Sequence, residues 1–558
     1  MVYVYAKKSK INEYIGKELS VDEIKDTLID MGMDLKGESD DKDPELKIEI
    51  TAEKIDMVSV VGIARAIKYY RRITKGYPIY NLSKSDKKVI VKKTSSESRP
   101  RTVCAILKDV DMNQDLLNEI IEVQEKIHAS FGRNRKKVSI GIYPLNKISF
   151  PITYGSEDPK NIKFKPLDSD KEMTGIEILE FHDKGKMFKH LLEGFEKFPV
   201  FRDSKGNILS MPPIINSEDT GKVETNHKDL FIECSGFNLN YLDSVLKVLV
   251  TSFYDLGCKI ESIEVEYEAE DNYELNLGDD IFDIETDKIR KVIGTELSQK
   301  EIELNLNKMM YGVDKVEDNK IYVKVPPFKA DVWNDIDIID DIARGYGYNN
   351  IELTSPKVDS VGKRLDSSLF RDRLSDSLVS LGFNELYTYM LTSTEFQLNK
   401  FDNKIKEGEY EKLLDSEDEG YNMLRVNIMP EILRSLNVNR KNKYPHKVFE
   451  NGFCIKPDKN IDTKAKNNPK LAVAIADPKS NYTWIKGVFD SFIKLNDLNL
   501  KVKPNDNCEF LIPGRSADII LDNQKIGYIG EISPSVLENF GLIVPVVGFE
   551  LEIEKLIK

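Results

Sequence analysis

A nine-residue phrase occurs twice in this chain, as GKELSVDEI at 16–24 and as GTELSQKEI at 294–302. Each copy holds Ser-x-x-Glu, a capping box in which the serine and the glutamate satisfy each other's free backbone amides and open a helix. The match runs on through a glycine turn ending in aspartate, Met31-Gly32-Met33-Asp34 and Tyr311-Gly312-Val313-Asp314. A strand follows, then Lys54-x-Asp56 or Lys329-x-Asp331, then a helix holding Ile63-Ala64-Arg65 or Ile342-Ala343-Arg344. Self-similarity of this length predicts two copies of one small α+β module, over 1–85 and 275–355. A chain of 558 residues is too long for one core, so three to five modules are expected.

Between the repeats, 90–270 alternates strand-like runs (VSIGIY, LFIECSGF) with helical ones (SVLKVLVTSFYDLG), which predicts a sizeable α+β domain. In it, Ser210 opens a Ser-Met-Pro-Pro turn. Glu233 and Ser235 share one face of a strand, and Cys234 points to the opposite, apolar side. From 360 to 558 a helix over 369–381, closed by Gly382, precedes strands and loops: ELYTYML, LRVNIMPEILRSL, KVFENGF, LAVAIAD, SADIIL, IGYIGEI and VVGFELEI. This pattern predicts an antiparallel sheet with flanking helices.

The second repeat differs from the first in charge. Asp331 precedes a helix on which Asp337, Asp340 and Asp341 stand at spacings that share a face, where like charges cost a few tenths of a kcal/mol. The first repeat has Met57, Val58, Val60 and Gly62 there, so the fold does not need the acids. A divalent cation would offset the repulsion, and oxygen-only ligands without an EF-hand loop favour Mg²⁺. Capping by Asp335 and acids placed for the helix dipole are the structural alternative.

A net charge of −14 and a pI near 5.2 exclude a protein that coats nucleic acid nonspecifically. Contact with RNA must be local, at Arg133, Arg135, Lys136 and Lys137 or at Arg440, Lys441 and Lys443, unless these runs are solvated loops. Five cysteines without a CxxC pair fit reduced thiols and no zinc. His128, His182, His190, His227 and His446 lack metal spacing and read as surface or packing residues. No signal-like start and no apolar run near 18 residues occur, so a soluble cytoplasmic protein without a membrane partner is expected.

The stretch from Lys329 through the four aspartates to Ile342-Ala343-Arg344-Gly345-Tyr346-Gly347-Tyr348 resembles the beta subunit of phenylalanyl-tRNA synthetase. That resemblance implies that Asp331, Asp337, Asp340 and Asp341 are Mg²⁺ ligands near a partner alpha subunit, with aspartates where the family often has glutamates. SMPP and IECS resemble the archaeal and eukaryotic form of its editing domain, which hydrolyses tyrosine wrongly attached to phenylalanine tRNA. Carried over, Ser210, Glu233 and Ser235 are the editing residues and Phe201 an apolar pocket wall. Water attack assisted by the tRNA's own hydroxyls is implied, since no Ser-His-Asp order is present. LRVNIMPEILRSLN at 424–437, VFENG at 448–452, GRSA at 514–517 and GEISPSVLENF at 530–540 resemble the synthetase-like domain. The two ATP-gripping arginines of an active class II enzyme have no visible counterpart, so this copy is expected to be catalytically silent. The implied fold is α+β and multidomain: two repeated modules flanking an editing domain, then the silent class II-like sheet. The implied assembly is a heterotetramer with alpha subunits that bring ATP and phenylalanine to phenylalanine tRNA. The alternative is a nonenzymatic assembly or tRNA-binding scaffold with a decayed editing site.

Overall fold

The computed structural model describes residues 2–96, 98–269, 271–356, 358, 360–416 and 418–557. They form two compact units, Met1–Ser355 and Pro356–Lys558. Among the described residues no helix is long and apolar enough to cross a membrane.

The repeat is real in three dimensions. The first copy runs strand Val2–Lys7, helices Lys8–Ile15 and Val21–Asp30, strands Asp34–Glu38 and Glu45–Ile50, and helix Val60–Tyr70. The second runs strand Asp280–Glu285, helices Thr286–Ile293 and Gln299–Lys308, strands Gly312–Glu317 and Lys320–Val325, and helix Asp335–Tyr346. Both three-stranded sheets put their last strand in the centre. Both capping boxes close: Glu23 N–H donates to Ser20 Oγ at 3.1 Å and Glu301 N–H to Ser298 Oγ at 3.3 Å. Gly16 and Gly294 end the preceding helices at φ 74° and 77°, a region in which a Cβ is disfavoured.

Between the copies lies a nine-stranded mixed sheet. In order its strands are Ile215–Asn216, Ile208–Met211, Phe198–Arg202, Ile152–Glu157, Leu82–Val91, Lys259–Tyr267, Arg101–Lys108, Leu230–Gly236 and Val138–Pro144. Leu82–Val91 is one continuous strand, so the 85–90 interval drawn between the first two modules falls inside it. Helices Gln114–Ala129 and Leu239–Asp255 bury Ile120, Ile127, Val245 and Leu249 with Val103, Ile140, Ile232 and Cys234 in one core cluster. Tyr143, Tyr154, Phe201 and Phe231 belong to a separate buried cluster. The sheet curls until its ends meet: Tyr143, on the last strand, lies 2.7 Å from Ser210, one strand in from the other end.

The second unit carries a seven-stranded sheet. His446–Pro457, Ala465–Ala476, Val546–Glu552, Gln524–Ile532, Leu511–Leu521 and Lys501–Pro504 pair antiparallel in that order, and the short Asn384–Glu385 pairs parallel at the edge. Two strand assignments are corrected. ELYTYML provides only short pieces of strand, with Tyr387 and Tyr389 exposed between them. LRVNIMPEILRSL is mostly the helix Met429–Val438, started by Pro430, whose missing N–H costs nothing in a first turn.

Candidate active site

Curling of the large sheet encloses a cavity of about 410 Å³ within the first unit. Glu233 and Ser210 line it, as do Ser139, His128, Arg135, Pro212 and Asn216, and its apolar walls include Ile120, Ile140, Ile142, Ile214 and Val223. Glu233 is 2% exposed. It pairs in register with Gly141 on the neighbouring strand, where an added Cβ would sit 2.3 Å from Tyr143 Oη and 2.5 Å from Glu233 Oε1. A Cβ there would displace both side-chain ends. The space the glycine leaves lets Tyr143 Oη reach Ser210 Oγ at 2.7 Å and Glu233 Oε1 at 3.3 Å.

Glu233 Oε2 is buried and has no hydrogen-bond partner among the described residues. Burial pushes the carboxyl up to about 8, with Arg99 and Tyr143 opposing the rise. A buried carboxyl with one oxygen unmet is costly unless a donor arrives, because desolvation of such a group costs about 1–3 kcal/mol or more. Its position thus favours a ligand that brings a hydroxyl.

Ser235 shares the face of Glu233 as alternation requires, but it stands behind the cavity lining. Its Oγ is 2.9 Å from Ser139 Oγ and accepts from Arg99 Nε at 3.3 Å. Arg99 also donates to the carbonyls of Ser235 and Arg135 at 2.7 and 3.1 Å, which ties the strand to the turn that carries Arg135. Phe201 is fully buried and stacked on Tyr154 at 4.3 Å, outside the lining, so its expected place as a pocket wall is corrected. Isoleucines of the cavity's own helix and strands form the apolar wall.

Two histidines read as surface or packing residues line the cavity, yet neither has a nitrogen free for chemistry. His128 Nε2 accepts from Ile140 N–H at 2.8 Å and its Nδ1 faces Glu125 at 3.4 Å. Burial lowers His128 to about 4, so the ring is neutral. His182 Nδ1 accepts from Lys184 N–H at 3.3 Å and its Nε2 faces the Leu167 carbonyl at 3.2 Å. Neither is placed to deprotonate Ser210, so among the described residues the cavity holds no serine–histidine pair. Tyr143 and Ser139 escaped sequence reasoning because they carry no motif. The signal that could have found them is the period-two stripe Ser139, Gly141, Tyr143 along VSIGIY.

The four aspartates of the second repeat do not gather round one cation. Asp341 Oδ2 accepts from Tyr311 at 2.7 Å and Lys329 at 2.8 Å, and Lys54 stands 3.5 Å from its Oδ1. Burial works against its charge, but Lys329 and Lys54 hold the carboxyl well below the usual carboxylate range. Asp331 Oδ2 accepts from Lys54 at 2.5 Å. Asn334, not Asp335, is the helix N-cap, and Asp337 completes its capping box from the third helical position, accepting from the amides of Trp333 and Asn334 at 2.8 and 3.0 Å. Asp340 takes Arg344 Nε at 3.0 Å and the Tyr348 hydroxyl at 2.6 Å. Among the described residues no three acidic, histidine or cysteine groups come together as a metal site. As placed here, lysines, an arginine and helix amides supply the counter-charge, and the four acids do not converge on one cation position.

Residues 282–348 match the tRNA synthetase B5 domain, and 351–553 match the phenylalanyl tRNA synthetase beta chain CLM domain. Over 98% of this chain and 97% of each relative, identity is 35% with the phenylalanine–tRNA ligase beta subunit of Thermococcus sibiricus and 36% with that of Pyrococcus horikoshii. The chain belongs to the phenylalanine–tRNA ligase beta subunit family. A crystal structure of an N-terminal fragment of the phenylalanyl-tRNA synthetase beta subunit from Pyrococcus horikoshii matches 62% of this chain and 99% of that fragment, with a TM-score of 0.60 and 36% identity. The chain is thus a subunit of an aminoacyl-tRNA synthetase.

Within the CLM-matched unit, several charged side chains on or beside the sheet pair with one another. Arg425 and Glu450 are paired at 2.7 Å and almost fully buried. Glu550 accepts from Lys470 at 3.1 Å and from the amides of Ile428 and Met429 at 3.1 and 2.9 Å. Arg515 pairs with Glu531 at 2.9 Å.

Proposed function

We propose that this beta subunit removes tyrosine from wrongly charged phenylalanine tRNA in the Glu233 cavity, while an alpha subunit partner in a heterotetramer binds ATP and phenylalanine and performs the charging. The observation that carries the deacylation reading is the buried, unpartnered Oε2 of Glu233 on a cavity of about 410 Å³, within the roughly 300–1,000 Å³ of small-ligand sites. A tyrosine phenol brings the donor this oxygen lacks. Phenylalanine fills the same apolar walls and leaves the oxygen bare, so a site built round a hydroxyl can reject the analogue without one by about 10⁴-fold.

The ester is opened by water. Both cavity histidines are committed to backbone partners, so Ser210 is not activated as a nucleophile; its hydroxyl, fixed by Tyr143, positions the ester or the water. The ribose hydroxyl beside the ester assists proton transfer. Attack at the carbonyl breaks the acyl–oxygen bond, and tyrosine and free tRNA leave. Internal pairing of Arg425, Lys470 and Arg515 supports a synthetase-like unit that is catalytically silent.

Deacylation of tyrosyl- and phenylalanyl-tRNA by the chain with its alpha subunit tests this reading, together with phenylalanine-dependent pyrophosphate exchange by the chain alone. Preferential release of tyrosine and no exchange are expected. Equal release of both amino acids leaves a scaffold, and exchange by the lone chain overturns the silent copy.

A further inference from the structure

Three cations line the cavity, and two are already paired: Arg135 with Glu125 at 2.6 Å and Lys222 with Glu218 at 2.7 Å. Arg135 is further turned inward by the carbonyls of Pro213 and Ile214 at 3.2 and 3.0 Å. Lys184 is the third. It is half-buried at the cavity, on the short helix Asp183–Phe188; among the described residues no carboxylate stands within ion-pair distance of it, and its charge helps Arg135 lower the cavity's Glu125.

The surroundings of Lys184 are unusual for an acidic protein. In a chain of net charge −14, the segment 182–190, HDKGKMFKH, holds Lys184, Lys186 and Lys189 against Asp183 alone. Phe181 immediately precedes it at the end of the helix Gly175–Phe181, and its ring is 64% exposed; Met187 is 61% exposed. An exposed aromatic in the same short stretch as a cavity-lining lysine costs apolar exposure without a return inside the fold. The same pairing is what single-stranded nucleic acid uses: a face on which a base stacks and cations that follow the phosphates. His182, the next residue, and Lys184 both line the cavity, so this segment borders the site where an ester would be cut.

We propose that Phe181 and Lys184 form a platform for the single-stranded 3′ end of the aminoacyl-tRNA, with a base stacked on Phe181 and a backbone phosphate on Lys184. This rests on the deacylation reading and adds how the ester is delivered. It also accounts for an acidic chain acting on a polyanion, because attraction is confined to the cavity mouth.

The test measures deacylation of tyrosyl-tRNA by the chain with its alpha subunit over a range of salt concentrations, for wild type, Phe181→Ala, Phe181→Trp, Lys184→Ala and Lys184→Arg. Phe181→Ala raises KM at least about 5-fold with a much smaller change in kcat, and Phe181→Trp restores it. Lys184→Ala lowers the slope of log KM against log salt by about 0.7, the share of one single-strand phosphate, and Lys184→Arg keeps it. KM and salt slope unchanged in both alanine variants, with an active wild type, overturn the platform alone. A wild type that releases no tyrosine overturns the deacylation reading and the platform with it.

Discussion

Lys54 of the first repeat and Asp331 of the second lie 2.5 Å apart, both almost buried, and the same lysine reaches Asp341 at 3.5 Å. Lys54 and Lys329 occupy equivalent positions in the two copies, so one lysine from each converges on Asp341. Two acids of a cluster that lies in one copy thus share a lysine from the other copy.

Lys54→Met should destabilise the first unit by about 3–5 kcal/mol, since removing one partner leaves buried carboxylates uncompensated. Asp337→Ala removes only a cap and should cost about 0.5–2 kcal/mol. Denaturant unfolding of the two variants checks the ranking. Adding a chelator should leave the unfolding midpoint of the purified chain unchanged; a drop of several degrees would restore magnesium to the acids.

Gly141→Ala should impair tyrosine release while the chain stays folded. The new methyl forces Tyr143 Oη and Glu233 Oε1 apart from their present positions, and a shift near 1 Å at a reacting group costs about 100-fold. Single-turnover deacylation of tyrosyl-tRNA measures this. An unaltered rate would show that the Tyr143–Glu233 geometry is irrelevant to the chemistry.

These two sites differ in how far the sequence disclosed them. The capping boxes, left-handed glycines and strand order of the repeats follow from local rules, and the phrase at 16–24 and 294–302 marked them. Glu233 and Ser210 stood out as polar residues in an apolar strand and a proline turn. Tyr143 and His128 did not, because the curl that brings the ends of a nine-stranded sheet together is a long-range property. The surroundings of the aspartate cluster were hidden for the same reason: spacing on one helix showed the acids sharing a face, but Lys54 lies 277 residues away from Asp331.

Acidity at Glu233 gives a pH signature. Its carboxyl is raised from 4.5 to about 8 by burial, so between these values the folded chain holds a proton that the unfolded chain has released. The stabilisation this gives is complete below 4.5 and is lost as pH rises through 8, at no more than about 1.4 kcal/mol per pH unit. Glu233→Gln, neutral at every pH, should match wild type near pH 4.5 and become the more stable protein above 8. Urea midpoints across this range check the sign; a constant difference between the two proteins would contradict it.

The most direct measurement compares release of tyrosine and phenylalanine from phenylalanine tRNA by wild type and Glu233→Ala, each with the alpha subunit. Wild type should release tyrosine much faster, and Glu233→Ala should lose roughly two- to tenfold of that preference, the worth of a hydrogen bond to a carboxyl held neutral by burial. Equal rates for the two amino acids in wild type would contradict the account.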